Sequence, residues 1–143
     1  MLYDLFFIIF SILYLPYFLI KGKWRSFSRQ RFGVFPIEVL SGLKGSRPIW
    51  IHAVSVGEVM ASVPLFEEIT KNYPGEKIVV STVTSTGNRV AWDKFNGRAA
   101  VIYLPLDISF IVDRVVKAIN PKAVLIAETE IWPNFIKSLN SHG

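Results

Sequence analysis

The stretch Pro48-Ile-Trp-Ile-His-Ala-Val-Ser-Val-Gly-Glu58 changes its pattern halfway along. Ile49–Ala53 is a short apolar run of strand length, and it ends in small and polar residues. From Gly57 to Asn72 the apolar positions recur at helical spacing. Val59, Val63, Phe66, Ile69 and Tyr73 share one face, while Glu67, Glu68 and Lys71 lie on the other. A strand running straight into an amphipathic helix opens a strand–helix unit. Pro64 lies inside the helical run, where it lacks a donor and crowds the preceding turn, so a kink or strain is expected there.

The same alternation continues downstream. Lys77–Val83 reads as a strand, Gly87–Phe95 as a short helix and Ala99–Leu104 as a third strand. Ile108–Ile119 is an amphipathic helix, with Ile108, Ile111, Val112, Val115 and Ile119 on one face and Asp107 placed to cap it. Pro121 follows, then Ala123–Ala127 as a strand buried on both faces, and Trp132–Leu139 as a last helix. Strands alternating with helices define the α/β class: a Rossmann-like parallel sheet with helices on both faces, spanning residues 48–143. There is no internal repeat and no low-complexity tract.

Upstream, residues 5–20 are apolar but for a serine and a proline, and with Met1–Asp4 they make about one bilayer crossing. Asp4 is the only charge before Lys21, and Pro16 introduces a kink or favours a segment lying in the interface. A buried hairpin or core helix is the alternative. A cleaved signal peptide would begin with positive charge and end in small residues, and this segment does neither. Residues 21–47 read as a basic, glycine-rich connector whose apolar patches, Phe32–Phe35 and Val39–Leu40, can rest on a bilayer. The net charge is +5, and residues 1–47 account for all of it, leaving the remainder neutral. Charge placed in a block after an apolar segment points to a membrane surface, not to a nucleic-acid face, and by the positive-inside rule puts the rest of the chain in the cytoplasm. With 143 residues the chain holds one domain, and with no cysteine it has neither disulfides nor thiolate metal sites.

In a parallel sheet, ligands bind beyond the carboxyl ends of the strands. The segments expected there are His52–Glu58, Thr84–Gly87, Leu104–Asp107 and Glu128–Asn134. Glu58 opens its helix, so it is either a carboxylate stabilising the helix dipole or a general base facing a cleft. Gly57 lets backbone approach a ligand closely. Thr84–Gly87 either binds an anion through helix-terminal amides or is capped by Ser85 or Thr86. Glu128 and Glu130 suit an N-terminal cap set, and Pro133 a first helical turn. His52, alone at the end of an apolar strand, reads as a structural side chain. Nucleotide-binding and zinc-protease motifs are absent, and nothing has metal-ligand spacing or asks for a cofactor.

Four strings occur in order: His52-Ala-Val-Ser-Val-Gly-Glu58, Thr82-Val-Thr-Ser-Thr-Gly87, Leu104-Pro-Leu-Asp107 and Glu128-Thr-Glu-Ile-Trp-Pro-Asn134. Together the chain resembles the N-terminal domain of the bacterial Kdo (3-deoxy-manno-octulosonic acid) transferases of lipopolysaccharide synthesis. The resemblance implies the first half of a two-domain, inverting glycosyltransferase of the GT-B type, anchored on the cytoplasmic face of the inner membrane. Its acceptor would be a lipid A precursor, and its donor CMP-Kdo, held mainly by a second domain. Glu58 matches the family's proposed general base; Ser55, Gly57, Thr84, Thr86 and Gly87 match cleft-lining positions; Glu128 and Glu130 match an acidic pair near the domain junction. The same resemblance makes these 143 residues an incomplete first domain, expected to be inactive alone. Two other functions remain open from the residues: a non-catalytic membrane-anchored lipid-binding module, and a serine hydrolase. In the latter, Ala53-Val-Ser55-Val-Gly57 would stand in for a nucleophile elbow, with Asp107 and His142 following in order.

Overall fold

Alternate residues of each central strand face opposite sides, and in this chain both sides are apolar. Trp50, Val79 and Ile102 join one core cluster, while Ile51, Val80 and Val101 join another. The computed structural model describes residues 3–5, 8, 9, 12, 13, 28–128 and 131–142. After a 3-10 turn at Arg29–Phe32, the elements are α1 (Ile37–Leu43), β1 (Ile49–His52), α2 (Val56–Asn72), β2 (Ile78–Thr82), α3 (Ser85–Phe95), β3 (Ala100–Tyr103), α4 (Ser109–Ile119), β4 (Ala123–Ile126) and α5 (Pro133–His142). The four strands form one parallel sheet in the order β3-β2-β1-β4. Ile49 is aligned with Ile78 on one side and Ala123 on the other.

Helices α2 and α3 cover one face through Val59, Phe66, Ile69, Ala91 and Phe95. Helices α4 and α5, with Leu43 of α1, cover the other through Val112, Val115, Val116, Ile119 and Phe135. The α/β class and the parallel sheet expected from the periodicity are therefore present.

Three local expectations are corrected. The strand at Ala123–Ala127 is not buried on both faces: Ala123 is exposed and Val124–Ile126 are half-buried, because β4 pairs with β1 alone among the described residues. Asp107 does not cap α4. Its carboxylate turns to the other helix, accepting from the backbone N–H groups of Asn134 (3.1 Å) and Phe135 (2.8 Å) at the start of α5. The segment read as a connector is, from Ser28 onward, folded against the domain. Gln30 Oε1 accepts the outward Tyr103 N–H at 2.8 Å, and Arg31 donates to the Val83 carbonyl while its guanidinium lies 4.9 Å from the Tyr103 ring centroid. Phe35 and Val39, expected to rest on a bilayer, pack against the core.

Among the described residues no helix is long and apolar enough to cross a membrane. Most of the apolar segment at 5–20 lies outside the described residues.

Pro64 is exposed inside α2, which runs through it. Its missing donor leaves the Met60 carbonyl without its helical partner. Pro64→Ala restores that bond at a surface position, and against the lost rigidity of the unfolded chain the net expected gain is about 1–2 kcal/mol. Urea unfolding measures it; an unchanged or lowered midpoint would show that α2 is already accommodated to the proline.

Candidate active site at the carboxyl edge

Parallel pairing brings the ends of all four strands to one edge. At that edge β1 lies between β2 and β4 and leads into α2 on one face, while β4 leads towards α5 on the opposite face. The two connections diverge there, which makes the gap above β1 and β4 the switch point where such folds open a crevice.

The first turn of α2 occupies this position. Ser55 is the N-cap, extended at φ −124° and ψ 175°, and Glu58 is the third helical residue. Glu58 Oε2 accepts from the Val54 N–H at 2.5 Å and Oε1 from the Ser55 hydroxyl at 2.9 Å. The carboxylate thus closes the helix start in the manner of a capping box, reaching one residue further back than usual. These two bonds fix its orientation and leave each oxygen a further lone pair.

The Val54 carbonyl accepts from the N–H groups of Val83 (3.2 Å) and Thr84 (3.1 Å). One peptide unit therefore ties the β1–α2 turn to the β2–α3 turn. In the second turn Thr84, not Ser85 or Thr86, is the N-cap of α3, accepting from Gly87 N–H at 3.0 Å. Gly87 is buried and tightly placed: a Cβ there would lie 2.8 Å from Thr84 Oγ1 and 3.2 Å from the Ser55 carbonyl carbon. Gly57 is different. Its φ is not positive, and a Cβ would meet only Ser55 Oγ, at 4.0 Å, so the fold itself does not require glycine there.

Of the sequence-predicted residues, Ser55, Glu58, Thr84 and Gly87 are thus brought together. Thr86 is exposed and reaches Thr84 only at 3.5 Å. Glu128 is exposed, with a left-handed backbone (φ 73°), while Glu130 lies outside the described residues. The hydrolase arrangement is not formed. Ser55 donates to Glu58, Asp107 holds α5, and His142 Nε2 pairs with Asp113 at 2.6 Å.

Beneath the edge is a polar cluster that the sequence pattern did not single out. Ser81 Oγ accepts from Trp50 Nε1 at 2.7 Å and lies 2.9 Å from His52 Nδ1. All three side chains are fully buried, and His52 Nε2 has no partner. Burial pushes the His52 imidazole down to about 4, outweighing the upward pull of the Ser81 carbonyl and the Glu58 carboxylate. Asn88, also missed, bonds Thr82 Oγ1 (3.1 Å) and the Ile102 carbonyl (3.3 Å), tying α3 to the strand ends. The only sequence signal was a serine and a threonine closing an otherwise apolar strand. A groove of about 640 Å³ between α1 and the end of α4 is at the opposite edge and holds none of these residues.

A parallel sheet of this order, with helices on both faces, is a doubly wound α/β arrangement, the class in which ligands bind at the switch point. Residues 27–143 match the family described as 3-deoxy-D-manno-octulosonic-acid transferase (kdotransferase). The chain is 35% identical to the 3-deoxy-D-manno-octulosonic acid transferase of Chlamydophila psittaci over 99% of its own length and 33% of that protein's. It is 41% identical to the enzyme of the same name from Haemophilus influenzae over 64% of its own length and 21% of that protein's. A bifunctional glycosyltransferase/methyltransferase of Fusobacterium nucleatum is 33% identical over 90% of this chain and 19% of its own. The chain belongs to the Kdo transferase family, and spans a third or less of the length of these relatives.

Two measurements check the site's construction. Because the folded His52 titrates near 4 and the unfolded one near 6.5, stability is full above pH 6.5 and declines as pH falls towards 4, by about 3 kcal/mol in all. His52→Gln should flatten that decline in urea titrations at pH 7.5 and 4.5; an unchanged slope would mean His52 protonates freely in the fold. Gly87→Ala should cost about 1–3 kcal/mol by the same assay, since the two turns must part to admit the methyl group.

Proposed function

We propose that this chain is the acceptor-side portion of an inverting glycosyltransferase that moves Kdo from CMP-Kdo to a lipid A precursor in lipopolysaccharide synthesis. The observation that carries this reading is Glu58, held at the switch point by Val54 and Ser55 in a chain of the Kdo transferase family. The acceptor hydroxyl attacks the anomeric carbon of Kdo from the face opposite the phosphate. The bond from that carbon to the phosphate oxygen breaks, its electron pair leaves with CMP, and the acceptor's proton passes to a free lone pair of Glu58. A carboxylate is a weak base, and it suffices where the sugar carbon is already cationic and the proton leaves late.

Ser55 orients Glu58, and the open space beside Gly57 admits the acceptor sugar. Thr84, Thr86 and Gly87 are assigned to the neighbouring wall of the cleft and Glu128 to its far side, while Glu130, outside the described residues, is assigned a part in the site from the family resemblance alone. A lipid acceptor is supported by apolar side chains at the same edge: Phe110, in the first turn of α4, and Ile131, just before α5, are 66% and 75% exposed. The donor's nucleotide is assigned to the part of the relatives' length that these 143 residues do not span. The apolar N-terminal stretch and its basic flank hold the protein at the inner membrane, with the domain on the cytoplasmic side.

The test is Glu58→Gln in the full-length enzyme. Turnover should fall 10²–10⁴-fold, while binding of a lipid A precursor in detergent, against a phospholipid control, changes only a few-fold. Undiminished turnover removes Glu58 as the base. Selective lipid A binding with no transfer under any condition would favour a lipid-binding module instead.

A further inference from the structure

Residues 32–36 form a strap along the outer side of α4. Arg114 of α4 donates to the Phe32 carbonyl at 2.7 Å, and a Cβ on Gly33 would lie 3.0 Å from Val115 Cγ2. The strap leads into α1, and α1 borders the groove of about 640 Å³ at the end of α4. Strap, α1 and α4 therefore make one continuous surface. Lys44, Arg47 and Lys117 line its groove, and Arg114 is exposed beside the strap. Against them stand Glu38 and Asp113, and Asp113 is already paired with Lys117 at 2.9 Å and His142 at 2.6 Å. Among the described residues Lys44, Arg47 and Arg114 enter no ion pair.

Apolar tips stand out from the same surface. Val34 in the strap is 47% exposed, Ile37 at the start of α1 77%, and Phe110 in the first turn of α4 66%. A single exposed apolar side chain is ordinary. Several on one face with unpaired cations have the composition of a peripheral membrane surface, whose tips enter the acyl boundary while Lys and Arg meet anionic headgroups. The opposite face differs in charge. It also has apolar tips, Met60 and Leu65, but its exposed charges are mixed in sign: Glu67, Glu68 and Lys71 on α2, and Arg89, Asp93 and Lys94 on α3.

We infer that the face built by the strap, α1 and α4 lies on an anionic lipid leaflet and fixes how the domain sits on the membrane. Charge selects this occupant. A second copy of the chain would bring like charges together, whereas an anionic leaflet complements the cations and takes up the apolar tips at once. The inference rests on the membrane association proposed above, and adds to it a contact made by the folded domain itself. Helix α4 follows a strand of the parallel sheet, so its first turn, with Phe110, is at the carboxyl edge. The docked surface therefore ends at the crevice, and the crevice mouth comes to rest beside the headgroup layer, where a lipid acceptor presents its sugar.

The chain has no cysteine, so an introduced one carries a single probe. Val34→Cys and Ile37→Cys report on this face, and Lys71→Cys, exposed on α2, on the opposite one. Each full chain, labelled with an environment-sensitive fluorophore, is reconstituted into vesicles of phosphatidylglycerol with phosphatidylethanolamine, or of phosphatidylcholine alone. Both contain lipid spin-labelled in the acyl chain. In the anionic vesicles the probes at 34 and 37 should be quenched and the probe at 71 should not. The quenching should be lost at high salt and in phosphatidylcholine. Lys44→Gln with Arg47→Gln should abolish it at 37, while Arg89→Gln with Lys94→Gln, which removes equal charge from the other face, should leave it intact. Unquenched probes at 34 and 37 on a chain that still sediments with the vesicles overturn the inference and leave membrane attachment standing. Equal quenching at 71, or quenching indifferent to lipid charge, overturns it too, since no face or no charge is then selected. A chain that sediments with neither vesicle overturns membrane association and the inference together.

Discussion

Parallel pairing is the constraint from which the rest of this structure follows. Strands that all run one way need a crossover between each pair, and every crossover must lie on a face of the sheet. β1 is the centre of the arrangement, paired on both sides, and its Trp50 and Ile51 are correspondingly shut from solvent on opposite faces. With strand order β3-β2-β1-β4, the helices after β1 and β2 take one face and those after β3 and β4 the other. The polar turns have no choice but to gather at one edge, and the edge has no choice but to part between β1 and β4.

Much of this was legible because it depends on short-range spacing. The change from an apolar run at Ile49–Ala53 to helical periodicity gave β1 and α2 to within a residue or so, and Glu58 lies three residues from its cap, close enough for its helix-end role to be read directly. What was not legible depends on distant partners. Asp107 is two residues before α4, but Ile108 N–H turns back to the Leu106 carbonyl at 2.7 Å, and the carboxylate faces a helix 27 residues on. Gln30 and Arg31 read as connector residues because their partners, Tyr103 and Val83, are 73 and 52 positions away. What the fold itself demands of its glycines was not legible either. Gly87 is demanded by the contact of two turns, whereas Gly57 meets no such demand.

The departures from an ideal core cluster beneath the same edge. Trp50, His52, Ser81 and Thr82 place polar atoms where an apolar strand would serve stability better. One hydroxyl answers both Trp50 and His52, while His52 Nε2 has no hydrogen bond, a cost of order 1–3 kcal/mol. Trp132 Nε1 and Ser138 Oγ on the α5 side are likewise buried without partners. Local rules fail in natural proteins mainly where function is housed, and here the failures lie under the candidate site and along the helix that borders it.

Val54 has a mechanical meaning. Its N–H is gripped by Glu58, and its carbonyl by Val83 and Thr84. The two groups lie in successive peptide planes that can turn only about the φ and ψ of this one residue, and bonds on both sides hold that hinge still. The two lips of the crevice are thereby pinned at one residue and move as one body. Closure over a bound substrate has to come from the opposing wall, and the Glu58 side serves as the fixed jaw.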